Sequence, residues 1–140
     1  MTTAPDGGAP AVPSRDAPDP AGDPAPVALA VDIGGTKMAA GLIDREGRLL
    51  VHRRAPTPRG ASAEDLWATL VGVVDEVRVA GRDVDASEPT VCGVGCGGPM
   101  TAGGRTVSPV NIAGWRGFPL QPAWPSSPAC PRWWTTTPRR

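Results

Sequence analysis

Two apolar runs, VALAVDI at residues 27–33 and MAAGLID at 38–44, are separated only by Gly34, Gly35, Thr36 and Lys37. Four residues cannot carry a crossover connection, so the two runs must pair antiparallel if both are strands. Each run is short and rich in apolar residues, the pattern of a buried strand. DREG at 44–47 is a turn signal, and RLLVHRR at 48–54 continues as a third strand with some alternation. After the loop APTPRGA, Ser62 opens a helix, with Asp65 in the place of a capping-box acid. Leu66, Leu70, Val73, Val74 and Val77 then fall at helical spacing, and Gly81 is the expected stop. TVCGVGC at 90–96 reads as a fourth strand, whose glycines point to close approach of another backbone or a ligand. The helical crossover predicts that it runs parallel to the first strand. The expected class is α/β: a mixed sheet of three antiparallel strands, a helix and a parallel strand.

The remainder divides the 140 residues into three parts. Residues 1–26 are mostly Pro, Ala, Gly and Asp with almost nothing to bury, so they cannot offset their ordering entropy and are expected to be disordered. Residues 27–120 hold the strands and helix, followed by the glycine-rich loop GGPMTAGGRT and the extended, irregular VSPVNIAGWRGFPL. Residues 121–140, QPAWPSSPACPRWWTTTPRR, have no acidic residue and no usable period.

Composition excludes several roles. The formal net charge is zero, so there is no basic footprint for nucleic acid. No apolar run approaches the roughly 20 residues a membrane span needs. The start lacks the basic and apolar regions of a signal peptide. Cys92, Cys96 and Cys130 show neither a pairing framework nor a zinc spacing, and a cytoplasmic setting is expected.

The turn between the first two strands has the chemistry of a phosphate cradle. Gly34 and Gly35 let backbone amides approach a ligand closely, and successive amides in a turn form an anion-binding concavity. Thr36 adds a hydroxyl and Lys37 a point charge, both suited to phosphate. Asp32, at the strand end, is placed to hold a magnesium ion through its waters. Gly-Gly is equally a favoured hairpin turn, and a hairpin can itself be the cradle. The spacing is not that of a Walker A loop.

Other candidates are less specific. Gly93, Gly95 and Gly98 match a dinucleotide fingerprint in spacing, but Pro99, Thr101 and further glycines follow where a helix is required. That reading is rejected; a loop lining a ligand site, or a plain connection, remains. Asn111 offers an amide able to donate to and accept from a sugar hydroxyl, with Trp115 placed to pack beneath it. His52 reads as structural or solvated, Arg53, Arg54 and Arg59 as a solvated face, and Cys92 and Cys96 as buried small hydrophobes.

Taken together and in order, VDIGGTKMAAGLID, GVGCGGPM and VSPVNIAGWRGFPL resemble the ROK family of bacterial sugar kinases and related repressors, over about residues 27–120. The resemblance implies the start of an actin- and hexokinase-like (ribonuclease H-like) lobe. It implies that Asp32, Gly34, Gly35, Thr36 and Lys37 form the first phosphate motif, facing ATP and Mg2+, with the metal near Asp32. Gly98 and Pro99 match the loop leading to the sugar, and Asn111 is a sugar-side candidate. The implied partners are ATP and a hexose, glucose first, in a family often homo-oligomeric.

The chain departs from that pattern after residue 120. The family's catalytic Asp-Asn-Asp-like segment, its Glu/His sugar motif, its Cys/His zinc cluster and its adenosine-binding glycines do not appear, so no catalytic residue is assigned. The expectation is an N-terminal fragment of a glucokinase-type enzyme, inactive by itself. The alternatives are a fragment of a sugar-responsive regulator, disfavoured by the more acidic than basic residues 1–26, and a non-catalytic remnant. Residues from about Gln121 are further expected to be read in a shifted frame. Trp133-Trp134-Thr135 must be written TGG TGG ACN, which from the third base forces Val then Asp, where the family pattern needs an acid. A Pro- and Trp-rich disordered tail is the plain alternative.

Overall fold

The computed structural model describes residues 25–124. The expected disorder of residues 1–26 and the frame shift expected from Gln121 onward fall mostly outside them. Strand β1, Val27–Ile33, turns directly into β2, Lys37–Ile43, and the two pair antiparallel with Ile33 opposite Met38 and Ala28 opposite Ile43. Strand β3, Leu49–Pro56, pairs antiparallel with β2. The turn between β2 and β3 is built on Asp44. Its Oδ1 accepts from the amides of Glu46 at 3.0 Å and Arg48 at 2.8 Å, and its Oδ2 accepts from Arg48 Nε at 2.7 Å. The Arg48 amide first, and then its guanidinium, hold the Asp44 carboxyl below the usual carboxylate range. Gly47, at φ +82°, supplies the left-handed residue this turn requires.

Helix α1, Ala63–Asp83, begins as the sequence predicts: Ser62 Oγ accepts from the Asp65 amide at 3.1 Å. Leu66, Leu70, Val73 and Val77 form its buried stripe against the sheet, while Val74 lies at the stripe's edge, partly exposed. Burying each such side chain contributes about 1.5–3 kcal/mol. The helix does not stop at Gly81. A Cβ on Gly81 would lie 2.5 Å from Leu42 Cδ1, so this glycine serves the close approach of helix and sheet. The stop comes at Asp85, whose φ is +54°. The Ala86 amide donates to the Gly81 carbonyl at 2.9 Å and the Asp85 amide to Arg82 at 3.2 Å, a Schellman closure with aspartate where glycine is usual.

Strand β4, Pro89–Cys96, lies beside β1 and runs parallel to it, giving the order β3-β2-β1-β4. The mixed sheet with its crossover helix is the expected one. Beyond β4 the chain folds back over the start of α1. Trp115 is fully buried; its indole N–H donates to the Ala63 carbonyl at 3.2 Å. Its ring stacks on Phe118, with centroids 4.3 Å apart and planes within 6°. A single helical turn, α2 at Leu120–Ala123, then brings Trp124 edge-on to Trp67. The effect is to tie residues 109–118 to the helix N-terminus. Among the described residues no helix is long and apolar enough to cross a membrane.

Candidate functional site: a cleft at the strand ends

β1 and β4 are parallel neighbours, so both end at the same edge of the sheet, with Asp32 paired to Gly95 and Ile33 to Cys96. Ligand sites in α/β sheets gather at the carboxyl ends of such strands. A cleft of about 1260 Å³ opens there. Asp32, Gly34, Gly35, Thr36, Lys37, Gly98, Pro99 and Asn111 all line it. The residues singled out from sequence, spread over 80 positions, therefore meet in one place.

The turn is a hairpin and a cleft wall at once. The Gly34 amide donates to the Lys37 carbonyl at 3.0 Å. A Cβ on Gly34 would sit 2.7 Å from that same carbonyl oxygen. Among the described residues, the Gly35 and Thr36 amides have no protein acceptor, which leaves two adjacent donors in the cleft wall. Asp32 and Lys37 are exposed, and neither makes an ion pair among the described residues.

Gly35 has a separate reason to be glycine. A Cβ there would lie 2.4 Å from the Asn111 Cβ and 3.1 Å from the Asn111 carbonyl oxygen. The 34–37 turn and the Asn111 loop thus approach closely. That loop is held from three sides. Val110 donates to the Gly97 carbonyl at 3.3 Å, Ser108 donates to the Pro99 carbonyl at 2.9 Å, and Arg116 Nη1 donates to the Pro109 carbonyl at 2.9 Å. Gly98 permits the first two: a Cβ on it would lie 2.6 Å from Pro109 Cα.

Electrostatically the cleft favours an anion. Its charged lining residues are Lys37 and Arg59 against Asp32 alone. Cys96 also lines it, and its thiol is pushed up to about 11, first by burial and then by the Asp32 carboxylate. The thiol is therefore neutral at physiological pH. Among the described residues no group of three His, Cys, Asp or Glu side chains comes together. A cation here would rest on Asp32, water and ligand oxygens, a donor set that suits magnesium with a polyphosphate.

Sequence reasoning missed Thr57. Thr57 is the buried polar residue of the cleft wall; its hydroxyl donates to the Gly34 carbonyl at 2.6 Å. Arg59 is exposed, as the solvated-face reading expects, and it also lines the cleft. The available signal was register: once β3 pairs with β2, residues just beyond Pro56 fall beside the turn.

Known proteins resemble this chain in sequence and fold. The profile of the ROK family matches residues 28–131. N-acetylmannosamine kinases of Salmonella newport and Yersinia pseudotuberculosis are each 36% identical over 92 residues, covering 66% of this chain and 29% of theirs. A ROK family glucokinase from Streptomyces griseus, solved with glucose and AMPPNP, superposes with a TM-score of 0.57 at 32% identity, over 69% of this chain and 28% of that one. An inorganic polyphosphate/ATP-glucomannokinase from Arthrobacter sp. strain KM gives 0.50 at 30% identity, over 62% of this chain and 34% of that one. The sheet and helix are those of the actin- and hexokinase-like sugar kinases. The chain spans less than a third of the length of the curated relatives it matches. On the evidence of that profile, the chain belongs to the ROK family.

Proposed function

We propose that this chain is the phosphate- and sugar-binding opening portion of an ATP-dependent hexose kinase. The observation that carries the reading is the meeting of Asp32, the 34–37 turn and Asn111 in one cleft, with Gly35 against Asn111. In this reading the Gly35 and Thr36 amides, the Thr36 hydroxyl and Lys37 hold phosphate oxygens. Asp32 is the residue that would hold a magnesium ion, which when bound would neutralise charge developing on the phosphates. Asn111 holds a sugar hydroxyl, with Gly98 and Pro99 shaping the wall next to it.

Phosphoryl transfer demands chiefly positioning and charge stabilisation, together with a carboxylate to accept the sugar hydroxyl proton. Asp32 is the one carboxylate lining the cleft among the described residues, and it is assigned to the metal. The 140-residue chain is therefore expected to bind without turnover. Losing base catalysis alone forfeits about 10²–10⁴-fold in rate.

Glucose is the first sugar to test, and the glucokinase neighbour supports it. N-acetylmannosamine is the second, favoured by the 36% identical relatives. Calorimetric titration of the chain with Mg·AMPPNP, then with each sugar, distinguishes them. Saturable AMPPNP binding that Lys37→Ala weakens about tenfold is the expected result. Unchanged affinity in Lys37→Ala, or binding of neither nucleotide nor sugar, overturns the reading.

A further inference from the structure

Thr57 reaches the 34–37 turn twice. Its hydroxyl donates to the Gly34 carbonyl at 2.6 Å, and its amide donates to the Thr36 carbonyl at 2.9 Å. The residue is only 7% exposed, although it stands on the cleft wall. The Gly34 amide is already taken by the Lys37 carbonyl. The Gly34 amide and carbonyl and the Thr36 carbonyl thus have protein partners. Among the described residues, the Gly35 and Thr36 amides are left over.

We infer that Thr57 is a positioning residue for phosphate, fixing the Gly34–Gly35 peptide so that the Gly35 amide stays available to a ligand in the cleft. The inference rests on the phosphate reading given above. The amide contact alone merely extends the β2–β3 ladder beyond Lys37 and Pro56, and any residue other than proline supplies it. The hydroxyl is different. It is a side-chain donor inside a wall where the Gly34 carbonyl has no substitute partner among the described residues. A Gly-Gly turn has unusual backbone freedom, and the Gly34 peptide is where that freedom begins. Fixing its carbonyl fixes the direction of the Gly35 amide, because both belong to one planar peptide unit. Thr57 therefore acts on phosphate through a peptide plane and touches no ligand itself.

The test uses the full 140-residue chain, inorganic tripolyphosphate as the probe, and two substitutions. Thr57→Val keeps the shape and removes the donor, whereas Thr57→Ser keeps the donor. Calorimetry gives affinity, and amide hydrogen exchange at Gly34 reports the turn, with Leu70 in α1 reporting the fold. Thr57→Val should bind about tenfold more weakly and exchange faster at Gly34 with Leu70 unchanged, and Thr57→Ser should match wild type. Should the valine variant lose protection at Leu70, Thr57→Ala replaces it in the same comparison. Wild-type affinity in the variant lacking the hydroxyl overturns the inference and leaves the phosphate reading standing. Failure of the wild-type chain to bind tripolyphosphate overturns both.

Discussion

A Cβ placed on Gly35 would come within 2.4 Å of the Cβ of Asn111, so the tip of the 34–37 turn and the Asn111 loop approach closely. The Asn111 loop is in turn braced by Arg116 on the Pro109 carbonyl and by Trp115 on the Ala63 carbonyl. The cleft is therefore walled by the hairpin tip, the 57–61 connection and the long loop after β4, with that loop locked down at the start of α1.

Gly35→Ala should consequently damage both halves of the site. The nearest atoms are a Cβ and a backbone carbonyl, which cannot swing aside as a flexible side-chain end can. Overpacking of this kind costs about 1–3 kcal/mol. Chemical denaturation should show that loss, and sugar affinity should fall along with phosphate affinity. Loss of phosphate binding with sugar binding untouched would show that the contact does not couple them.

Asp85 holds a left-handed conformation at the exposed C-terminus of α1, next to the negative end of the helix dipole. Asp85→Gly should stabilise the chain by about 1 kcal/mol. In a domain of this size that is a rise of about 4–8 °C in Tm. Asp85→Ala should lower Tm. Thermal unfolding of the two variants checks the pair, and equal midpoints would contradict the assigned cap.

Cys96 carries a pH signature. Its folded-state value is raised, from 9.0 in the reference thiol to about 11. The contribution of its protonated form is full below about pH 9 and is lost as pH rises toward 11, because the unfolded chain releases the proton first. Stability should thus decline across that alkaline window, and less steeply in Cys96→Ala. Iodoacetamide at pH 8 should leave Cys96 unmodified in the folded chain, since the buried thiol is both inaccessible and neutral. Rapid native-state alkylation there would contradict the burial beside Asp32.

The legible parts of the sequence were those written locally. The pairing of β1 with β2 follows from the four-residue spacing, the start of α1 from Ser62 and Asp65, and the parallel β4 from the crossover. What was not legible depends on partners distant in the chain. Gly81 carries a local stop signal, but its role is to admit Leu42, and the helix closes instead on a left-handed Asp85. Trp115 was placed beneath Asn111, whereas its indole is fastened to Ala63 and stacked on Phe118. Thr57 has no motif at all; its meaning comes from the register of β3 against β2, which carries it to the turn.

The most direct test of the cleft is an amide map of the 140-residue chain by NMR, first with Mg·AMPPNP and then with glucose or N-acetylmannosamine. The nucleotide should shift the amides of Gly34, Gly35, Thr36 and Lys37, and the sugar should then shift Gly98 and the Asn111 side-chain amide. Asp32→Ala should reduce the magnesium dependence of the first set and leave the α1 amides in place. Nucleotide shifts confined to residues away from 32–37, or no shift at millimolar nucleotide, would contradict the assignment of this turn to phosphate.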